Sequence, residues 1–189
     1  LWNFSGANTV SGPVTLTAAT TLGAAAGSTL TLAGGLALDN QALTLGGAGT
    51  IVLGNALTST SSLTLAGGTL DLGGFAHAFA TLDVTADSIL DFTGSSTLSL
   101  TDVAVASGAT LTVRNWIEAA DFFLAANKPG AAVLGRIVFE TFSPSATRWF
   151  DSTEISPVPE PGAYGLVAGA TLAFWLGARR PRRSVAARR

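Results

Sequence analysis

His77 is the one histidine among 189 residues and cysteine is absent, so a Cys–His nucleophile pair and a His/Cys-rich metal site are excluded within this sequence. Its neighbours, Gly74-Phe75-Ala76 and Ala78-Phe79, suggest a corner, where a surface position is the expectation. Asp83, Asp87 and Asp91 recur every fourth residue, a spacing that aligns carboxylates on a helix but not on strands. On a chain of coiled strands, Asp71, Asp83 and Asp91 can instead project from neighbouring turns as an acidic stripe able to take a calcium ion. Proton abstraction beside such a stripe needs a basic residue, and no Lys or Arg precedes Arg114. Outward charges that keep a surface soluble are therefore the expected role, and no catalytic, cofactor-binding or metal-binding residue is assigned.

A second group of residues with a specific chemistry lies at the C-terminus. Pro159-Glu160-Pro161 precedes an uncharged apolar run from Gly162 to Ala178, which is followed by Arg179, Arg180, Arg182, Arg183, Arg188 and Arg189. A run of about 17 residues is the short end of what crosses a bilayer as a helix. Arginine clusters stay on the cytoplasmic side, which leaves everything before Pro159 outside. Pro159 and Pro161 lack backbone donors and favour extended conformation, so the segment just outside the membrane is expected to be a stiff strand that a protease can grip.

Val158-Pro159-Glu160-Pro161, the hydrophobic segment and the Arg-rich end together resemble the PEP-CTERM sorting signal of Gram-negative bacteria that make exopolysaccharide. The resemblance implies that a membrane-embedded exosortase recognises the Pro-Glu-Pro and removes the tail. The implied partners are exosortase and the membrane before processing, and exopolysaccharide or cell-surface components afterwards. The implied location is an inner-membrane precursor, then the cell surface or the medium.

Charge is unevenly spread. Six of the ten Lys and Arg lie in the tail, leaving four elsewhere against eleven of the twelve acids, Glu160 being the twelfth. An acidic body argues against nucleic acid as a partner, because phosphate binding needs a basic stripe. Without cysteine an exported chain has no disulfide framework, so regular hydrogen bonding and packing must hold it together. The sequence begins at Leu1 and contains no methionine, so a start codon and an export signal are expected upstream.

The elements that would position these residues are strands. Leu30-Thr31-Leu32, Leu43-Thr44-Leu45, Leu63-Thr64-Leu65, Leu70-Asp71-Leu72 and Leu98-Ser99-Leu100 alternate with period two, each with one buried face. Gly34-Gly35, Gly46-Gly47, Gly67-Gly68 and Gly73-Gly74 between them permit tight corners. The runs recur at about 19–22 residues, in the series Leu22, Leu43, Leu63, Leu82, Val103 and Leu30, Ile51, Leu70, Ile89, Leu111. A looser series is Leu36, Leu57, Phe75, Leu98, Trp116. Three short strands per turn predict an all-β, right-handed parallel β-helix over residues 1–113, with Leu stacked on Leu inside. A β-sandwich would also give short strands at regular spacing, but its core usually packs large aromatics rather than aliphatics.

The Gly-rich Leu-Thr-Leu runs also resemble autotransporter-associated β-strand repeats, found in surface passenger domains. Residues 114–156 differ in composition: Trp116 to Ala126 predicts a short helix or helical turn, Ala132 to Glu140 a strand and Phe142 to Phe150 a loop. Asn115-Trp116, Phe122-Phe123 and Gly135-Arg136-Ile137-Val138-Phe139 resemble the final module of repeat proteins carrying this tail, and the segment is expected to cap the solenoid. Residues 157–189 complete the chain as the sorting signal, with its single transmembrane helix. The expected function is a non-enzymatic exported surface or matrix protein. The alternative is a carbohydrate-active β-helix enzyme, similar to polysaccharide lyases, with its catalytic part upstream of Leu1.

Overall fold

In the first three turns strands of two to five residues are punctuated by glycine corners, and the chain coils, each strand pairing with one from the next turn. The computed structural model describes residues 1–142, 147–149 and 153–157. The first turn is β1 (Trp2–Asn3), β2 (Ala7–Val10) and β3 (Val14–Thr15); the second is β4 (Thr20–Ala24), β5 (Thr29–Leu32) and β6 (Leu36–Ala37). The third is β7 (Leu43–Gly47), β8 (Thr50–Leu53) and β9 (Leu57–Thr58). Beyond it the strands run through the corners as β10 (Ser62–Asp71), β11 (Ala76–Asp91) and β12 (Thr97–Val105), followed by β13 (Leu111–Arg114) and β14 (Phe122–Ala125). A short helix α1 (Ala131–Leu134) leads into β15 (Ile137–Phe139), and β16 (Thr147–Trp149) and β17 (Ile155–Pro157) close the described chain.

The pairings that link β1 to β15 are all parallel. The fold is a parallel β-solenoid of about six turns. One face runs β1-β4-β7-β10-β11-β12 and a second β2-β5-β8-β10-β11-β13-β15. The third is interrupted: β3 pairs only with β6, and a separate run joins β9, β11, β12 and β14. A sandwich is excluded by this topology, because neighbouring strands come from successive turns.

The register confirms the repeat and corrects its details. Leu43, Leu63, Leu82 and Val103 stack as read, but the partner of Leu22 is Leu45. On the second face Leu30, Ile51 and Leu70 are followed by Leu90 and Val113, not by Ile89 and Leu111. On the third face the inward column is Leu57, His77, Leu98 and Phe123, so Phe75 and Trp116 do not belong to it. Leu36 pairs with Val14 instead. The stacked Leu, Ile and Val side chains form one continuous buried core.

Glycine is required where turns press together. A Cβ on Gly47, at φ +95°, would collide with the carbonyl of Ala24, and one on Gly23 would run into the Trp2 ring.

The solenoid does not stop at Val113. Phe122–Ala125 is a strand on the edge of β12 rather than the expected helix, and Ile137–Phe139 pairs with β13, so the last turn is completed by residues assigned above to a separate module. Strand wins because Phe123 and Ala125 point inward onto Leu98 and Leu100, a period-two burial that a helix cannot supply. The expected strand from Ala132 starts only at Ile137, since Ala131–Leu134 is helical. Phe92, Trp116, Phe123, Phe139 and Phe142 meet edge-on or tilted, with ring centroids 5.0–6.3 Å apart, and form an aromatic end to an aliphatic core.

Each face has its last edge covered differently. Arg136 Nη1 donates to the Val105 carbonyl at 3.0 Å, on the edge of β12. Ala125 N donates to the Thr153 carbonyl at 2.8 Å and Leu124 bridges antiparallel to Glu154, beside β14. Thr147 Oγ1 donates to the Ile137 carbonyl at 2.7 Å, beside β15. β16 and β17 pair with each other antiparallel, a direction that continues no rung.

Candidate functional site

Only part of the expected acidic stripe forms. On the outward side of the second face, Asp71, Asp91 and Arg114 stack in register on successive turns. Asp83 lies on another face between Thr64 and Ala104, and Asp87 sits at a corner, where its Oδ1 accepts from Thr110 N at 2.8 Å. The acids that do stack are engaged. Asp71 Oδ1 accepts from Gly73 N at 2.8 Å. Asp91 Oδ1 accepts from Thr93 Oγ1 at 2.9 Å and from Asn115 Nδ2 at 2.7 Å. Arg114, the nearest cation, is held by Glu140 through Nε at 2.9 Å and Nη2 at 3.3 Å.

Partial burial, opposed by the Gly73 N–H, and the neighbouring charge of Asp91 together raise the Asp71 carboxyl above its ordinary value. A group raised on folding favours the fold below its unfolded pKa of 3.8 and loses that advantage as pH rises through the folded value. At pH 7 the ionised Asp71 therefore disfavours the fold, first through its partial burial and then through the neighbouring charge of Asp91. Asp71→Asn keeps the acceptor for Gly73 and removes the charge. It is expected to stabilise the fold by about 0.2–1 kcal/mol, the size of a typical cross-strand side-chain effect, with solvent screening holding it low. Urea midpoints measure this; the gain should vanish below pH 3.8.

His77 is not at the surface. It is 2% exposed, inward on β11 between Leu57 and Leu98. Its Nε2 lies 2.9 Å from the Leu72 carbonyl and so carries the proton, while Nδ1 has no partner. Desolvation lowers its pKa below the usual 6.5, against a smaller upward pull from the Leu72 carbonyl. A neutral imidazole walled by aliphatic side chains cannot reach a substrate.

Asp121 was not singled out from sequence, yet it is fully buried and organises the last wide corner. Its Oδ1 accepts from Ser96 N at 2.7 Å and its Oδ2 from Ile117 N at 2.6 Å. Its only sequence signal is an isolated acid between Ala120 and Phe122. Outer grooves of about 390, 420 and 570 Å³ each hold one carboxylate, Asp87, Asp83 and Asp39 respectively, among hydroxyl and methyl groups. Paired carboxylates for acid–base work are absent from these grooves, and among the described residues no group of three His, Cys, Asp or Glu is placed to hold a metal.

Pro159, Glu160, Pro161 and the arginines Arg179, Arg180, Arg182, Arg183, Arg188 and Arg189 lie outside the described residues, as does the apolar run between them. Among the described residues no helix is long and apolar enough to cross a membrane. The class defined by the fold is a three-sided parallel β-solenoid whose polar groups mostly serve its own turns. No protein-family model, curated protein or solved structure matches the chain.

Proposed function

We propose that this chain is the body of an exported, non-enzymatic surface or extracellular-matrix protein, a right-handed β-helix that associates with exopolysaccharide or other cell-surface components. Its C-terminal tail would be a sorting signal, holding the precursor in the inner membrane until exosortase acts at Pro159-Glu160-Pro161. The observation that carries the non-enzymatic reading is the engagement of its polar groups: Asp91, Arg114, Asp121 and His77 are each bound to the solenoid's own backbone or side chains. What faces outward is a rim of Thr, Ser and Asp on a stiff rod, suited to contact rather than turnover. α1, Arg136 and the β16–β17 pair act as its cap.

One observation bears on a lyase-like reading, since Arg114 stands beside Asp91. Its ion pair with Glu140 and the hydrogen bonds on Asp91 favour a structural role.

Replacing Pro159, Glu160 and Pro161 by alanine leaves the apolar run and arginines intact, so insertion is expected to persist while an uncut membrane-bound form accumulates. Mass spectrometry of the released fraction decides the matter. Peptides from Phe174 to Arg189 in released wild-type protein would show that the tail is not a removable signal.

A further inference from the structure

The third face contains both a titratable group inside the core and the weakest strand that covers it. His77 stands where the neighbouring turns place Leu57 and Leu98. Leu98 belongs to β12, nine residues long and paired on both sides, with β11 and β14. Leu57 belongs to β9, two residues long and paired with β11 alone, because the strand before it, β6, belongs to a separate sheet with β3. The corner after β9 adds a second weakness, since the Ser61 hydroxyl is buried without a hydrogen-bond partner.

We propose that His77 and β9 form an acid-operated latch, in which protonation of the buried imidazole releases the segment around Leu57–Thr58 while the rest of the solenoid stays folded. In the closed form the single proton of His77 is on Nε2, directed at Leu72, and Nδ1 faces the interior bare. A second proton would put an N–H and a full charge at Nδ1 with no acceptor, the most costly arrangement for a buried polar group. Leu57 from β9 and Leu98 from β12 flank it, the Leu72 carbonyl from β10's corner meets Nε2, and desolvation and that carbonyl are what bear on its titration. No carboxylate compensates the charge. Detaching β9 brings water to Nδ1 at the cost of its short pairing with β11, the backbone bonds that continue it at Ser59 and Ser61, the Thr60–Asn40 side-chain bond and the burial of Leu57.

The direction follows from linkage. Above pH 6.5 the imidazole is neutral whether the latch is open or closed, and acidity has no effect. Below it the open form takes up a proton first, so the opening constant rises up to about tenfold per pH unit until the depressed pKa of the closed form is reached.

Hydrogen–deuterium exchange of the whole chain between pH 7.5 and 5, corrected for intrinsic rates, tests this. The amides of residues 56–61 are expected to lose protection below pH 6.5, while those of β12 and β13 keep theirs. Two variants isolate the group. His77→Gln keeps a donor for Leu72, and His77→Leu continues the Leu57–Leu98 column; the Leu72 carbonyl retains its bond from Phe75 N in both. Each should hold residues 56–61 protected throughout. Flat protection in the wild type overturns the latch, and so does an acid response that survives both substitutions. Simultaneous loss of protection in every strand overturns the local release.

Discussion

A Leu63→Asp variant is expected to lose its cooperative unfolding transition, or to unfold at a much lower urea concentration than the wild type. Leu63 has no solvent exposure and stands between Leu43 and Leu82 in the inward column of the first face. The introduced carboxylate would have aliphatic side chains above, below and beside it, and no donor within the column. An uncompensated buried charge costs several kcal/mol, ~5 kcal/mol as a working figure, against a total stability of about 5–15 kcal/mol for a domain of this kind. Thr44→Asp provides the contrast. Thr44 lies one residue along from Leu43 but points outward between Thr21 and Thr64, so its substitution should cost no more than about 0.5–1 kcal/mol. Equal effects of the two substitutions on the midpoint would mean that the two columns do not differ in burial, and a larger loss from Thr44→Asp would mean that they are exchanged.

Adjacent residues with opposite fates follow from the period of two, and that period was the legible part of the sequence. Leu30, Ile51 and Leu70 align because those turns differ little in length and these three inward residues are all aliphatic. The alignment slips at Ile89 for an identifiable reason. Between Leu65 and Ala66 the pairing with β11 shifts by one, leaving Thr85 as an extra residue whose hydroxyl bonds back to the Leu65 carbonyl at 3.2 Å. One inserted residue exchanges the faces, so Leu90 takes the inward place that the repeat length assigned to Ile89.

On the third face polarity misleads, because the column contains an exception. Phe75 is the more hydrophobic residue, yet it stands at the corner, and the imidazole two positions later fills the core. The wide corner after Arg114 defeated repeat counting for another reason. Asn115 and Ala119 adopt left-handed backbone angles, φ +57° and +63°, and Asp121 closes the loop from inside. The repeat length does not encode that excursion, so counting puts Trp116 where Phe123 stands. The acidic stripe Asp71, Asp83 and Asp91 is legible in part: Asp71 and Asp91 are one turn apart, whereas Asp83 falls on another face of β11.

Removing the segment after Glu140 is expected to make the solenoid self-associate. A protein ending at Glu140 keeps all the parallel strands but lacks β16 and β17, and with them the Ala125–Thr153 hydrogen bond, the Leu124–Glu154 bridge and the Thr147 hydroxyl on Ile137. The edges of β14 and β15 then present unpaired backbone groups next to Phe123 and Phe139, a template for pairing with another chain. Light scattering after gel filtration should find higher oligomers or aggregate for the chain ending at Glu140, relative to one ending at Pro157. A point substitution separates edge protection from simple loss of mass. Ile155 on β17 is fully buried and belongs to the continuous core, so Ile155→Ala should cost about 2–4 kcal/mol by opening a cavity at the end of the stack. If the two truncations elute alike and Ile155→Ala leaves the unfolding midpoint unmoved, the last turn needs no cover, and the aromatic cluster around Trp116 alone must seal the solenoid.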